Sequence, residues 1–219
     1  MTTGPGLRER KKARTRQAIS DAAIALFLQR GYEQVSVTEI AEAAEVSKRT
    51  LFAYFPTKDD LVLHRFADHV DEPARMVRNR RPGEAPLDAL HRHLRGALDR
   101  RDPITGLCDN AEVVRFYRLV LDTPALSAAT ARYHARSLDA LTAALQEIAS
   151  SGGPPSASGD ELTARLAASQ ILATLHTLAH ANQVRIAAGR TADDLAAHAA
   201  AEADHAFEFL RTGIAPYRA

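Results

Sequence analysis

An all-helical fold is the prediction, and three observations make it. Apolar residues recur at spacings of three and four along the 219-residue chain, and no segment longer than a few residues alternates with period two. Cap residues precede these runs at Ser36, Ser47 and Thr57, and stop residues follow at Gly31 and Pro56. The length and a 46% hydrophobic composition allow a substantial core in one or two domains.

The first helix is expected from about Lys12 to Arg30, with Ile19, Ala22, Ala23, Leu26 and Phe27 as its inward stripe. Gly31 ends it. Ser36 caps a second helix, and Glu39, three residues on, completes a capping box. Val37, Ile40, Ala41 and Ala44 face inward. Glu45-Val46 makes a turn, and Ser47 caps a third helix. That helix returns Leu51, Phe52 and Phe55 to the core before Pro56 ends it. Thr57, with Asp60, opens a fourth helix from Lys58 to about Asp71, apolar at Leu61, Val62, Phe66 and Val70 and stopped or kinked by Pro73. Beyond a polar break at 79–86, helices are expected over 86–101, 106–122, 124–149, 160–188 and 191–212, with Pro86, Pro103 and Pro124 near helix starts. Residues 150–159, SSGGPPSASG, read as a flexible loop, and no internal repeat is present.

Net charge is +1, so the chain as a whole is not drawn to polyanions. The charge is uneven, however. Arg8, Arg10, Lys11, Lys12, Arg14 and Arg16 stand against Glu9 alone, an electrostatic footprint for phosphate; the bland alternative is a solvated N-terminus. One cysteine, Cys108, excludes an internal disulfide framework and a cysteine-based metal site, and reads as a packed or partly exposed thiol. No apolar run is long enough to span a bilayer, and the N-terminus lacks the apolar stretch of a secretory signal, so a soluble cytoplasmic protein is expected.

The stretch from Ser36 to Lys58 carries the chemistry. A helix that enters the DNA major groove needs short or forked polar side chains near its N-terminus and an apolar back face that fixes its angle. Residues 47 to 55 supply both. Lys48 and Arg49 reach base edges or phosphates, and arginine pairs bidentately with guanine. Ser47 and Thr50 offer short hydrogen bonds, and Tyr54 donates to a phosphate while its ring packs. Lys58 and the basic arm around Arg14 would clamp the DNA backbone. This is the layout of a helix-turn-helix reader. The alternative is that capped helix pairs with two basic residues on an open face are common in helical proteins.

The block RQAISDAAIALFLQRGYEQVSVTEIAEAAEVSKRTLFAYFPTKDDL, Arg16 to Leu61, resembles the N-terminal domain of the TetR family of bacterial transcription regulators. The resemblance runs through Ala22, Phe27, Gly31-Tyr32, Ile40-Ala41, Ala44, Val46-Ser47, Thr50-Leu51, Tyr54-Phe55, Lys58 and Leu61. It implies that the third helix reads the major groove and that Thr38, Ser47, Lys48, Arg49, Thr50, Tyr54 and Lys58 occupy DNA-contacting positions. Two departures stand out. Glu45 replaces the usual glycine and must tolerate the turn geometry with its charge on the phosphate side. Phe52 replaces the usual tyrosine, losing a hydroxyl while keeping a ring that packs.

The resemblance further implies two domains: an N-terminal arm and helix-turn-helix domain over 1–60, and a larger helical regulatory and dimerisation domain over 61–219. In such proteins the second domain holds a small-molecule pocket and pairs two copies through the last two long helices. Helix 160–188 is apolar on more than one side, and helix 191–212 carries Ala196, Ala200 and Ala203, small enough for close approach. Candidate effector contacts are Arg115, Phe116, Tyr117, Tyr133 and His176, with His134 and His180 beside them. Arg115, if buried, would need an anion. His91 with His93 and His176 with His180 lack the companions of a metal site, and no cofactor is expected. The expected partners are an operator duplex, an effector of unknown identity and a second copy of the chain. The competing classes are an all-helical enzyme, for which no phosphate loop or nucleophile elbow is present, and a protein-interaction module whose basic arm meets an acidic partner.

Overall fold

A computed structural model describes residues 6–151 and 161–213. The order is α1 (Leu7–Arg30), α2 (Val37–Ala43), α3 (Lys48–Tyr54), α4 (Lys58–Leu63), a 3₁₀ turn (His64–Phe66), α5 (Ala67–Val70), α6 (Glu72–Arg78), α7 (Pro86–Asp99), a second 3₁₀ turn (Pro103–Thr105), α8 (Ala111–Asp122), α9 (Pro124–Ser151), α10 (Glu161–Ala187) and α11 (Ala192–Thr212). No strand occurs among the described residues.

Five boundaries differ from expectation. α1 starts at Leu7, so the basic segment is helical: after Gly6 nothing interrupts a run of good helix formers. The helix expected over 58–71 gives way at its second half to a 3₁₀ turn and the short α5. Pro73 does not stop a helix; it sits in the first turn of α6, where its missing N–H is not needed. The helix expected over 106–122 begins only at Ala111, because Gly106 is left-handed (φ 72°) and the Asn110 side chain accepts the Glu112 N–H at 2.9 Å to start a new one. The loop expected over 150–159 yields its first two residues to α9, and its remainder lies outside the described residues.

The chain divides into two compact units. The first comprises residues 1–67 with 115–131, the second 68–114 with 132–219. In the first, Ile19, Ala23, Phe27, Ile40, Leu51, Phe55 and Leu61 form a closed core. The Ser20 hydroxyl, itself fully buried, donates to the Leu61 carbonyl at 2.7 Å and fastens α1 to α4. The second unit is built on Val77, Leu90, Leu98, Leu107, Leu141, Ile171, Leu195 and Phe207, with α11 packed against α7 and α10.

A charged cluster within the second unit joins α5, α6 and α7. His69 Nδ1 lies 2.8 Å from Glu72 Oε2, and His93 Nε2 lies 3.2 Å from Glu72 Oε1. Burial pushes the Glu72 carboxyl up, but the two imidazoles outweigh it and hold the group at about 2. The Glu72 hydrogen bond raises His69 against its burial, with Asp102 and Asp68 adding to the same effect. The signs set a window. Glu72 contributes stability above its unfolded value of 4.5 and loses it as pH falls toward about 2. His69 contributes below its unfolded value of 6.5 and loses it as pH rises through its raised folded value. Both contributions are therefore complete between 4.5 and 6.5. Thermal melts from acid to alkaline pH are expected to show this optimum, and Glu72→Gln to flatten both limbs.

Candidate nucleic-acid interface

α1 supports the two short helices that follow it. At the end of α1 the Gly31 N–H donates to the Phe27 carbonyl at 2.8 Å, and Arg30 meets Glu39 at 2.8 Å. Ser36 and Glu39 form the capping box: the Ser36 N–H donates to Glu39 Oε2 at 2.8 Å, and the Glu39 N–H donates to Ser36 Oγ at 3.3 Å. These bonds, with Arg30, hold the Glu39 carboxyl at about 2.

α2 ends in a Schellman turn. The Glu45 N–H reaches the Glu42 carbonyl at 3.0 Å, and the Val46 N–H reaches the Ala41 carbonyl at 2.9 Å. Glu45 takes the left-handed position, with φ 54° and no glycine to relieve it. That conformation costs a residue with a Cβ about 1–2 kcal/mol, while glycine brings back about 0.5–1 kcal/mol in chain entropy. Glu45→Gly is therefore expected to stabilise the first unit by roughly 0.5–1 kcal/mol. If α3 reads DNA, the same change should also strengthen duplex binding by removing a carboxylate. Chemical denaturation and duplex titration check the two effects separately, and Glu45→Gln, which keeps the strain, should show only the second.

Ser47 then caps α3. Its Oγ accepts the Thr50 N–H at 3.0 Å and lies 2.8 Å from Thr50 Oγ1, so the two hydroxyls orient each other. Leu51 and Phe55 are fully buried and set the angle of the helix. Lys48 and Arg49 are exposed, as is Thr38 in the first turn of α2 and Arg14 on α1. Phe52, expected in the core, is instead 46% exposed. Leu51 and Phe55 already fill the inward side of this two-turn helix, and Phe52 falls on the other.

Two basic residues of the expected clamp have internal partners. Lys58 Nζ donates to the Tyr32 carbonyl at 2.5 Å and lies 4.2 Å from the centre of the Tyr32 ring. The Tyr32 hydroxyl donates to Asp59; its burial and then this hydrogen bond push the phenol up. Arg16 donates from Nη2 to the Tyr54 carbonyl at 3.3 Å, with its guanidinium 5.1 Å from the centre of the Phe55 ring. Arg16 thus pins the end of α3 to α1, a role no local signal announces.

The effector candidates fall into separate groups. Phe116 and Tyr117 pack with Phe66 in the first unit, at 5.7 and 5.9 Å between ring centres. Arg115 is exposed, so the argument for a buried anion beside it lapses. In the second unit Tyr133 lies under Arg136, and His176 stacks on His134 at 4.1 Å. Partial desolvation, then the neighbouring imidazole, pushes His176 down to about 4, so it is neutral near pH 7 although its surface remains open. His91 turns to Asp204 and Phe207 while His93 turns to Glu72, so that pair diverges. Asn182 was invisible in the sequence: it is buried, donates from Nδ2 to the Thr105 carbonyl at 3.0 Å, and leaves Oδ1 without a partner. Among the described residues no group of three or more His, Cys, Asp or Glu could hold a metal ion, and no helix is long and apolar enough to cross a membrane.

Residues 19–64 match the family described as bacterial regulatory proteins, tetR family. The HTH-type transcriptional regulator TcmR of Streptomyces glaucescens is 42% identical over 127 residues, covering 57% of this chain and 56% of TcmR. The HTH-type transcriptional repressor KstR of Rhodococcus jostii (strain RHA1) is 36% identical over 75 residues, 34% of this chain and 35% of KstR. The chain spans about half the length of TcmR in that match. The crystal structure of NalD, the secondary repressor of the MexAB-OprM multidrug efflux pump in Pseudomonas aeruginosa, shares the fold with TM-score 0.56 at 19% identity, covering 89% of this chain and 97% of NalD. With the capped third helix and the all-helical body already in place, residues 19–64 carry a domain of the family of bacterial regulatory proteins, tetR family.

Proposed function

We propose that this protein is a homodimeric, sequence-specific DNA-binding transcription regulator, a repressor released from a palindromic operator by a small-molecule effector. One observation carries it: α3 is capped at Ser47, anchored by the buried Leu51 and Phe55, and presents Lys48 and Arg49 outward. A reading helix needs that combination of fixed angle and free polar ends. In this reading 1–60 is the DNA domain, and 61–219 is the regulatory and dimerisation domain. Thr38, Ser47, Lys48, Arg49, Thr50, Tyr54 and Arg14 face the duplex, Lys58 instead braces Tyr32 at the start of α4, and Arg115, Phe116, Tyr117, Tyr133 and His176 are the effector candidates. Relatives named as regulators and repressors support the same assignment.

The second copy docks through α10 and α11. Leu162, Leu166 and Val184 lie open on α10 at 62%, 54% and 54% exposure, an arrangement that favours a partner helix over water. Two reading helices related by a two-fold axis then match half-sites about 34–36 Å apart or a multiple of that spacing. An effector that changes their separation weakens DNA without touching a base, and DNA weakens the effector equally.

The test is binding of the purified protein to the DNA upstream of its own gene, by fluorescence anisotropy with random duplex as competitor. Tight binding that survives competitor, at a stoichiometry of two chains per site, is expected. Binding no tighter than to random duplex, both there and after selection from a randomised pool, would refute the reading.

A further inference from the structure

We propose that pairing of two copies through α10 is controlled by pH, with the His180 imidazole of each copy as the switch, so that acidification separates the copies without an effector. This rests on the reading that the second copy docks through α10 and α11, and adds a signal that the same face answers.

The outer side of α10 carries no fixed charge over most of its length. From Leu166 to Ala187, roughly 30 Å of helix, every exposed residue is apolar, neutral polar or histidine. Leu166, Ala173, His180 and Val184 recur at steps of seven, seven and four, which places them on one exposed stripe. The fixed charges of α10 lie elsewhere. Glu161 opens the helix, Arg165 meets Asp139 of α9 at 3.0 Å, and Arg185 meets Glu202 of α11 through hydrogen bonds of 2.6 and 2.7 Å.

The elements packed against α10 offer His180 no counter-charge. α9 sets His134 on His176, and its charged residues nearest in sequence are Arg132, Arg136 and Asp139, the last already held by Arg165. The 3₁₀ turn Pro103–Thr105 approaches the inner side of α10 at Ala179 and Asn182; beside it Asp102 accepts the Ile104 N–H and Arg101 pairs with Asp193. On α11, Asp204 and Arg211 pair with Arg95 and Asp88, and Glu202 is shared by Arg185 and His198, the latter at 3.1 Å. Asp194, His205 and Glu208 complete the charged and titratable groups of that helix. His198 thus has a carboxylate to receive its proton, whereas His180 makes no ion pair among the described residues. His176 is pushed down to about 4 by burial and then by His134, so it stays neutral above pH 5.

Imidazole is the side chain that changes charge between about pH 5 and 8. Neutral, it can be covered by a partner helix; charged and without a carboxylate, its burial is opposed. A two-fold interface takes the same residue from each copy, so two protons must leave for one dimer to form. The dissociation constant then climbs by up to about 100-fold for each pH unit on the acid side.

Sedimentation equilibrium of the full-length chain between pH 8 and 5.5 tests this, with His180→Leu and His180→Gln alongside and thermal melts to confirm that both variants fold. The native dimer is expected to loosen on the order of 100-fold across that range, and both variants to pair equally well at either end. A native dissociation constant that does not change with pH overturns the proposal while pairing itself stands. The same pH dependence in both variants also overturns it, by assigning the proton to another group. A native chain that is single at pH 8 overturns it together with the docking reading, and is recognised because no dimer forms under any condition.

Discussion

Arg49→Ala is expected to abolish most operator discrimination while leaving the fold intact. Arg49 is exposed, and the core beneath it is closed by Leu51 and Phe55. Removing an exposed side chain away from caps and core changes stability by about 0.5 kcal/mol or less. Its planar guanidinium is suited to a bidentate pair with guanine, worth about 1–3 kcal/mol of discrimination for each half-site. On a palindrome both copies lose that contact, so the summed cost is about 2–6 kcal/mol, or 30-fold and upward in affinity.

Lys48→Ala provides the contrast. An ammonium is a point charge that neutralises phosphate without reading a base, so its loss should weaken operator and random duplex about equally. It should also reduce the salt slope by about one unit per contact removed. Anisotropy titrations at several salt concentrations separate the two signatures. An Arg49→Ala protein that still distinguishes operator from random duplex as well as the native chain would mean that α3 is not the reading helix.

What the sequence made legible was what lies close along the chain. The Ser36–Glu39 box and the caps at Ser47 and Thr57 join residues three apart, so the residue types alone announce the bond. What it hid depends on partners far away. Lys58 meets the carbonyl of Tyr32 26 positions earlier, and Arg16 meets that of Tyr54 38 positions later. Both read as free charges for phosphate until the fold supplies a carbonyl and a ring. Phe52 illustrates a different limit. In a helix of two turns, apolar residues at 51, 52 and 55 fit more than one inward direction, and only packing decides which of them is left out. Among the effector candidates aromatic character was readable, but burial was not: Arg115 proved open to solvent, while the buried Asn182 drew no notice because a lone asparagine in an apolar helix has no sequence signature.

Gly106→Ala is expected to be among the most damaging single substitutions in the second unit. Gly106 closes the 3₁₀ turn at Pro103–Thr105 with φ 72°, where any Cβ is strained by about 1–2 kcal/mol. The larger effect is contact. A Cβ here would sit 2.1 Å from the Ala179 carbonyl oxygen and 2.9 Å from Gln183 Cγ. The Gln183 side chain can swing away, but Ala179 is main chain within α10 and moves only if the helix does. The helix is held by the buried Asn182, which donates to Thr105 on the same turn, and by Ile171, Leu172 and Ile186 in the core. Relief therefore requires giving up core contact along α10, and the expected total is roughly 3–5 kcal/mol. Gly83→Ala isolates the strain: Gly83 has φ 77° but no heavy atom within 4 Å of a built Cβ, so it should cost only about 1–2 kcal/mol. Urea denaturation of both variants gives the difference directly. Because α10 also bears Leu162, Leu166 and Val184 on its open side, the proposed pairing through this helix should weaken as well, visible as a mass that falls toward one chain on dilution. Equal costs for the two glycine substitutions would show that the turn and α10 do not approach as closely as the geometry requires.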